Sequence, residues 1–397
     1  MVFRNINTNH MKLTKFPLLP AIIIAVILGI LASFVFPDSL SRVFVTINSI
    51  FGNFLGFVIP LIILGLVAPG IAELGHGAGK LLAITAGIAY LSTIISGFFS
   101  YFSCSFSFPY ILTPDGSFGA TVDGAIKLTP YFTIDMPPIM GVTTALIIAF
   151  VIGLGICAAG ATHLKNAILE FRELINIIIQ KIIIPFLPLY IFGIFLQIGA
   201  EGQAAMILKV FIKVIAVIFV LHVLLLLFQF SLAGIISKKN PFKALVTMMP
   251  AYMTALGTQS SAATIPVTLE QSIKCGVNPK LAGFVIPLCA TIHLAGSILK
   301  IVACAYAITY MMGMPSGIDL YSGFIFMLGI TMVAAPGVPG GAIMAALGVL
   351  SSMLGFDDNM QGLMIALYIT MDCFGTACNV TGDGAIALIM NRIHKQC

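Results

Sequence analysis

Charge is what this sequence has least of. Only 8% of its 397 residues are charged, 59% are hydrophobic, and the mean hydropathy is +1.11. A soluble domain carries about a quarter charged residues, because its surface must face water. The shortage excludes a water-facing globular fold. The 19 Lys and Arg exceed the 14 Asp and Glu by a formal +5, too small and scattered an excess for a nucleic-acid binder. The eight cysteines form no CxxC pair and no Cys/His metal spacing, and Cys104, Cys157, Cys289 and Cys304 sit inside apolar runs as small hydrophobes do. No small-residue cleavage site follows the first apolar segment, residues 17–36. With Arg4, Lys12 and Lys15 before it, that segment reads as a retained signal anchor. Membrane residence is the class left standing.

What the sequence does have is a series of apolar segments near residues 17–36, 43–72, 81–102, 142–159, 182–200, 214–236 and 281–299, and a last one ending near Met390. Each is about the 20 residues that cross a bilayer. Lipid offers the backbone no hydrogen bonds, so each is expected to be helical, and the short alternating segments of a β-barrel are absent. Basic residues gather at the amino terminus, at Lys238, Lys239 and Lys243, at Lys274 and Lys280, and at Arg392 and Lys395. The segment Phe106 to Met140 instead carries Asp115, Asp123 and Asp135 with Lys127 alone. Cytoplasmic loops are the ones enriched in Lys and Arg, which places both termini inside and residues 107–140 outside.

Two apolar stretches are broken in the middle. Residues 243–269 are interrupted by Gly257-Thr258-Gln259-Ser260-Ser261 and Pro266, and residues 320–354 by Pro336-Gly337-Val338-Pro339-Gly340-Gly341. Breakers free backbone groups that must be satisfied by protein or by water in a cavity. Re-entrant hairpins are one solution, and two kinked helices with packing glycines are the other. Each stretch precedes a long segment with polar residues: His293 and Ser297 after the first, Asp372, Asn379 and Asp383 after the second. Hairpin plus polar helix, occurring twice, is the pattern of an inverted-repeat transporter.

Asp372 and Asp383 are the only carboxylates deep in an apolar segment, where a charge is costly and seldom incidental. Eleven residues of helix leave them about 20° apart around the axis and about 16 Å apart along it. Thr376 and Asn379 fall on the same stripe. That separation excludes an intramembrane aspartyl protease, whose carboxylates share a proton at about 3 Å. No Ser/His/Asp arrangement is evident, and the Gly-rich run 337–341 lacks the Lys of a phosphate-binding loop.

These residues resemble the dicarboxylate/amino acid:cation symporter family (sodium:dicarboxylate symporters), which includes the archaeal aspartate and mammalian glutamate transporters. The likeness covers most of the chain and is strongest from Lys243 to Asn391. Residues 260–268, Ser-Ser-Ala-Ala-Thr-Ile-Pro-Val-Thr, are similar to the first hairpin tip and Gly337-Val338-Pro339-Gly340 to the second. Asn379-Val380-Thr381-Gly382-Asp383 matches the last-helix signature letter for letter. The resemblance implies an all-α, multi-pass homotrimer in the plasma (inner) membrane, with eight transmembrane helices and two re-entrant hairpins per subunit. Residues 1–78 and 141–200 would form a scaffold, and residues 79–106 and 201–397 a transport domain moving like an elevator. It also implies that Ser261, Val338 with Gly340, and Asn379 hold a substrate α-carboxylate and that Asp372 binds its ammonium, with Ser260 also in the substrate site and Thr376 on the same stripe as Asp372. Amides at a broken helix suit an anion, and a desolvated aspartate suits an ammonium.

Departures from the family set the expected substrate. Members that take acidic substrates carry an arginine four residues before the signature Asn, where this chain has Gly375; the arginine that archaeal members place before the hairpin serines is Gln259. A side-chain carboxylate would then be unpaired in a dry pocket, costing several kcal/mol, so a neutral amino acid is expected, with space above Gly375 for a bulky one. The helix 7 motif Asn-Met-Asp-Gly-Thr is here His293-Leu294-Ala295-Gly296-Ser297, the hydroxyl before the second tip is missing at Ala335, and Ile88 and Ala89 replace Thr and Ser. What remains for a cation is Asp383, Asn379, Thr291 and carbonyls near Cys289 and His293, enough oxygens for one hard ion. His293 reads equally as a structural histidine or as a proton carrier opposite Asp383; Lys300 is given no transport role. The expected function is symport of a neutral amino acid with sodium, protons or both, with no other cofactor. Three readings stay open beside it: a dicarboxylate or acidic amino acid symporter with an atypical site, an uncoupled exchanger or channel, and a membrane binding protein that moves nothing.

Overall fold

The computed structural model describes residues 18–75, 80–112, 128–333, 335 and 339–394. Among them the fold is helical throughout, without a strand. In chain order the helices are α1 (Leu18–Ser33), α2 (Asp38–Gly75), α3 (Lys80–Ile111), α4 (Val142–Ala159), α5 (Thr162–Ile178), α6 (Ile184–Ala200), α7 (Ala204–Ser237), α8 (Pro241–Thr258), α9 (Ser261–Lys274), α10 (Pro279–Ile292), α11 (Ala295–Met311), α12 (Ile318–Val333), α13 (Gly341–Leu354), α14 (Asp358–Thr370) and α15 (Asp372–His394). A π-helical turn, Ile179–Ile183, joins α5 to α6. Among the described residues, six stretches are long and apolar enough to cross a bilayer: Asp38–Ala72, Leu81–Ile111, Thr162–Ala200, Ala204–Ser237, Pro279–Met311 and Asp372–His394. The expected spans at residues 17–36 and 142–159 are helices of only 16 and 18 residues.

Three elements differ from the sequence-based expectation. The span at residues 182–200 belongs to a helix that begins at Thr162; α5 is amphipathic, and its polar face keeps hydropathy low where the helix starts. Helix α3 runs on to Ile111, five residues into the segment assigned to the outside. The two polar segments are not continuous helices. The first breaks at His293 and Leu294, between α10 and α11, and the second at Met371, between α14 and α15. Of the charge pattern used for orientation, Arg4, Lys12, Lys15, Asp115, Asp123, Lys127 and Lys395 lie outside the described residues.

The helices pack in two groups. In one, α1 lies against α6, and α2 against α4, α5 and α6. Gly29 sits so close to the Phe192 carbonyl, and Gly153 to that of Ala68, that neither position has room for a β-carbon. Small residues let backbones approach closely, and such packing is a main source of helix association in lipid. The other group gathers α3 and α7 to α15: α3 against α10, α11 and α12, and α15 against α7, α8, α9, α10 and α11. A cavity of about 780 Å³, whose lining includes Asn48, Asn53, Gln197, Asp357 and Asp358, lies where α2 and α6 face the α13–α14 connection.

Both interrupted stretches are helix pairs. Between α8 and α9 the chain turns through Gln259 and Ser260. Gln259 takes the left-handed conformation, φ 52°, which is uncommon for a residue with a β-carbon and clusters at functional turns. Ser260 caps α9 by accepting a hydrogen bond from the Ala263 amide at 3.3 Å. Far from the turn, the Cys275 thiol donates to the Ala244 carbonyl at 3.6 Å, so the two arms run antiparallel. In the second pair Gly323 of α12 faces Met353 of α13. Its turn ends at Gly340, whose φ of 74° suits a residue without a side chain; Pro336, Gly337 and Val338 of that turn lie outside the described residues.

Asn391, near the end of α15, ties the base of this group together. Its side-chain oxygen Oδ1 accepts from the Asn278 backbone amide at 3.0 Å and its side-chain NH2 donates to the Gly276 carbonyl at 3.2 Å. Replacing Asn391 with Ala is expected to lower stability by about 1–3 kcal/mol, since both backbone groups lose a partner at a mostly buried position. Thermal unfolding of the detergent-purified variant measures this, and an unchanged midpoint would show that water takes over both bonds.

Candidate functional site

The break between α10 and α11 exposes the first amide groups of α11, and Asn379 of α15 receives them. Its side-chain oxygen accepts from Gly296 at 2.7 Å and from Ser297 at 3.2 Å, while its NH2 donates to the Ser297 hydroxyl at 3.0 Å. The Tyr368 hydroxyl donates to the same Ser297 oxygen at 3.1 Å. The asparagine thus works as a cap supplied from another helix, satisfying amides that a continuous helix would have bonded internally.

One turn and more away on α15, Asp372 is the first residue after the break at Met371, where the helix dipole favours a carboxylate. One of its oxygens pairs with the Lys300 ammonium of α11 at 3.0 Å, and the other accepts from the Gly340 amide of the second turn at 2.8 Å. The Lys300 side chain is fully buried, donates to the Met371 carbonyl at 3.4 Å and lies 3.6 Å from the centre of the Tyr368 ring. It fills the space above Gly375: a β-carbon there would stand 2.6 Å from Nζ. The room for a bulky substrate expected above Gly375 is therefore occupied, and a cation is present although no arginine is. Thr376, on the same stripe as Asp372, is buried.

A second pair lies one turn beyond Asn379. Asp383 meets His293 Nδ1 at 2.9 Å, with both side chains essentially inaccessible. The other ring nitrogen of His293 is 3.0 Å from the Ser92 hydroxyl of α3, which also accepts from the Gln229 amide of α7 at 3.2 Å. The Gln229 side-chain oxygen is buried without a partner and stands against Gly382. His222 of α7 contacts the Gly296 carbonyl at 3.1 Å. The carboxylates sit in separate settings, one facing an ammonium and the other an imidazole.

Tertiary packing thus brings Gly340, Asp372, Gly375, Asn379, His293 and Asp383 into one polar interior. The remaining residues singled out in the sequence have other contacts. Thr291 is exposed and donates its hydroxyl to the Leu288 carbonyl at 2.7 Å. The Cys289 carbonyl accepts the His293 amide at 2.8 Å, closing α10. Ser261 is buried at the start of α9, which with α8 packs on α15. Val338 lies outside the described residues. Among the described residues no three His, Cys, Asp or Glu side chains converge on a metal position. Ser92, Gln229, His222 and Tyr368 carry weight that sequence reasoning missed. Gln229 and His222 had a usable signal, being polar residues within the apolar segment 214–236.

Residues 18–393 match the model of the sodium:dicarboxylate symporter family. Among characterised relatives, the chain is 29% identical over 391 residues to the serine/threonine transporter SstT of Acinetobacter baumannii strain ATCC 17978, covering 93% of this chain and 95% of the relative. It is 27% identical over 390 residues to SstT of strain AYE, with the same coverage.

Asn379→Ala is expected to destabilise the protein by about 1–3 kcal/mol for each α11 amide left without a partner, and to weaken ligand binding with it. Unfolding midpoints with and without ligand measure both; a variant with the wild-type midpoint would mean that the broken helix end does not need this cap.

Proposed function

This chain belongs to the sodium:dicarboxylate symporter family, and from that premise we propose that it carries a small neutral amino acid across the membrane with sodium, protons or both. The observation that carries the reading is the buried constellation on α15, where a helix-start aspartate, a backbone amide of the second turn and an asparagine meet beside the break in the facing helix. A zwitterion needs a carboxylate for its ammonium and donors for its carboxylate; here Asp372 is the carboxylate and the Asn379 NH2, which gives one hydrogen to Ser297, is a donor, in a place where water does not compete. Relatives that transport serine and threonine support a neutral substrate. The buried cation is a single lysine already matched by one aspartate, so a second substrate carboxylate has no counter-charge.

Asp383, His293 and the unpartnered Gln229 oxygen are the groups we assign to the coupling ion. A carboxylate with neutral oxygens suits sodium, and an imidazole against a carboxylate suits a proton. The two helix groups support a division of labour in which α1, α2 and α4 to α6 hold still while α3 and α7 to α15 move, the two helix pairs entering the membrane from opposite sides. The cavity at their boundary is consistent with a surface that slides. The apolar residues exposed on α1 and α4, such as Ile27, Leu31, Val151 and Leu154, suit lipid or the other subunits of a trimer. We place both termini inside, and an inward gradient of the coupling ion would drive transport inward across the plasma membrane.

In proteoliposomes, uptake of a neutral amino acid is expected to be competed by other neutral amino acids and hardly by aspartate, glutamate or succinate; strong inhibition by succinate would reverse the assignment. Accumulation driven by an imposed sodium or proton gradient separates a symporter from an uncoupled exchanger. Asp372→Ala is expected to abolish amino acid binding and Asp383→Asn to alter chiefly the cation dependence. Normal uptake by both variants would remove this chamber from the transport path.

A further inference from the structure

We propose that Lys300 is itself a substrate-binding residue: when an amino acid enters, the Lys300 ammonium leaves Asp372 and becomes the counter-charge of the substrate carboxylate, while the substrate ammonium takes its place on Asp372. The inference rests on the reading above, that the chamber around Asp372 receives an amino acid.

The argument is a count of charges. Lys300 is the one buried Lys or Arg among the described residues, and Asp372 is its partner at 3.0 Å. If the pair stayed closed, an entering ammonium would meet a carboxylate already neutralised. If the substrate ammonium displaced Lys300 and gave it nothing in return, a lysine with a fully buried side chain would be left unpaired, which is strongly unfavourable away from water. One arrangement leaves every charge matched: Lys300, substrate carboxylate, substrate ammonium, Asp372, in alternation. An ion pair is the electrostatic complement of a zwitterion, and a neutral amino acid inserts into it without changing the net charge of the chamber.

The surroundings permit the movement. Gly375 presents no side chain against the lysine stem, and that stem, four methylenes long, changes rotamer without moving the backbone. The Tyr368 ring lies against the ammonium at 3.6 Å and offers it cation–π attraction while it changes partner. Asp372 stays anchored through its other oxygen by the Gly340 amide, so the lysine is the mobile member.

The test is binding of L-serine and of L-serinamide, which keeps the ammonium and replaces the carboxylate with a neutral amide, to the full-length protein in detergent. Wild type is expected to bind serine about tenfold or more tightly than serinamide. Lys300→Met, of similar length and uncharged, is expected to lose about tenfold or more in serine affinity and to bind the two compounds alike. Serine binding to Lys300→Met at or above the wild-type affinity would overturn the proposal and leave Lys300 as a fixed partner of Asp372. Equal binding of serine and serinamide by wild type would overturn it too, and that comparison needs no variant to fold. Failure of wild type to bind any neutral amino acid would overturn the proposed function along with it, whereas the first two outcomes leave that function intact.

Discussion

A helix interrupted away from water leaves amides and carbonyls that must find partners, and the interior of this protein is organised around that constraint. The α10–α11 break is closed by Asn379, a side chain from a helix far along the chain. The second turn is tied by the Gly340 amide to Asp372, which begins a helix of its own after another break. The α8–α9 turn is capped locally by Ser260, whereas the α10–α11 break and the second turn are each satisfied by a residue of α15, which ties them into one unit. The same polar ends that create this demand are the groups the proposed binding site draws on.

Charge inside the chamber is handled pairwise. Asp372 faces the ammonium of Lys300, and Asp383 faces the imidazole of His293, itself held by Ser92. Burying either carboxylate alone would cost several kcal/mol; burying each against a partner removes much of that cost.

Much of the architecture was legible in the sequence because its causes are local. Apolar segments of bilayer length, breakers at residues 257–261 and 336–341, and the stripe Asp372, Thr376, Asn379, Asp383 all follow from composition and helical periodicity. The breaks at His293 and Met371 were not legible. No glycine or proline stands at either residue, and what permits the breaks is Asn379 in one case and packing around Asp372 in the other. Helix α5 escaped because amphipathic helices look polar to a hydropathy window. Gly375 was legible as a missing arginine, yet the consequence drawn from it, an open space without a cation, was overturned by a lysine 75 positions earlier in the chain.

By itself, then, the sequence determined that this chain lives in a membrane, that it is helical, that two of its apolar stretches are interrupted, and that the polar residues of its last helix share a face. Those properties depend on the solvent and on spacings of a few residues. Only the tertiary structure decided which charge faces which. Lys300 meets Asp372, and His293 meets both Asp383 and Ser92, because separate helices cross at those points, and no periodicity within a single helix encodes where another helix will lie.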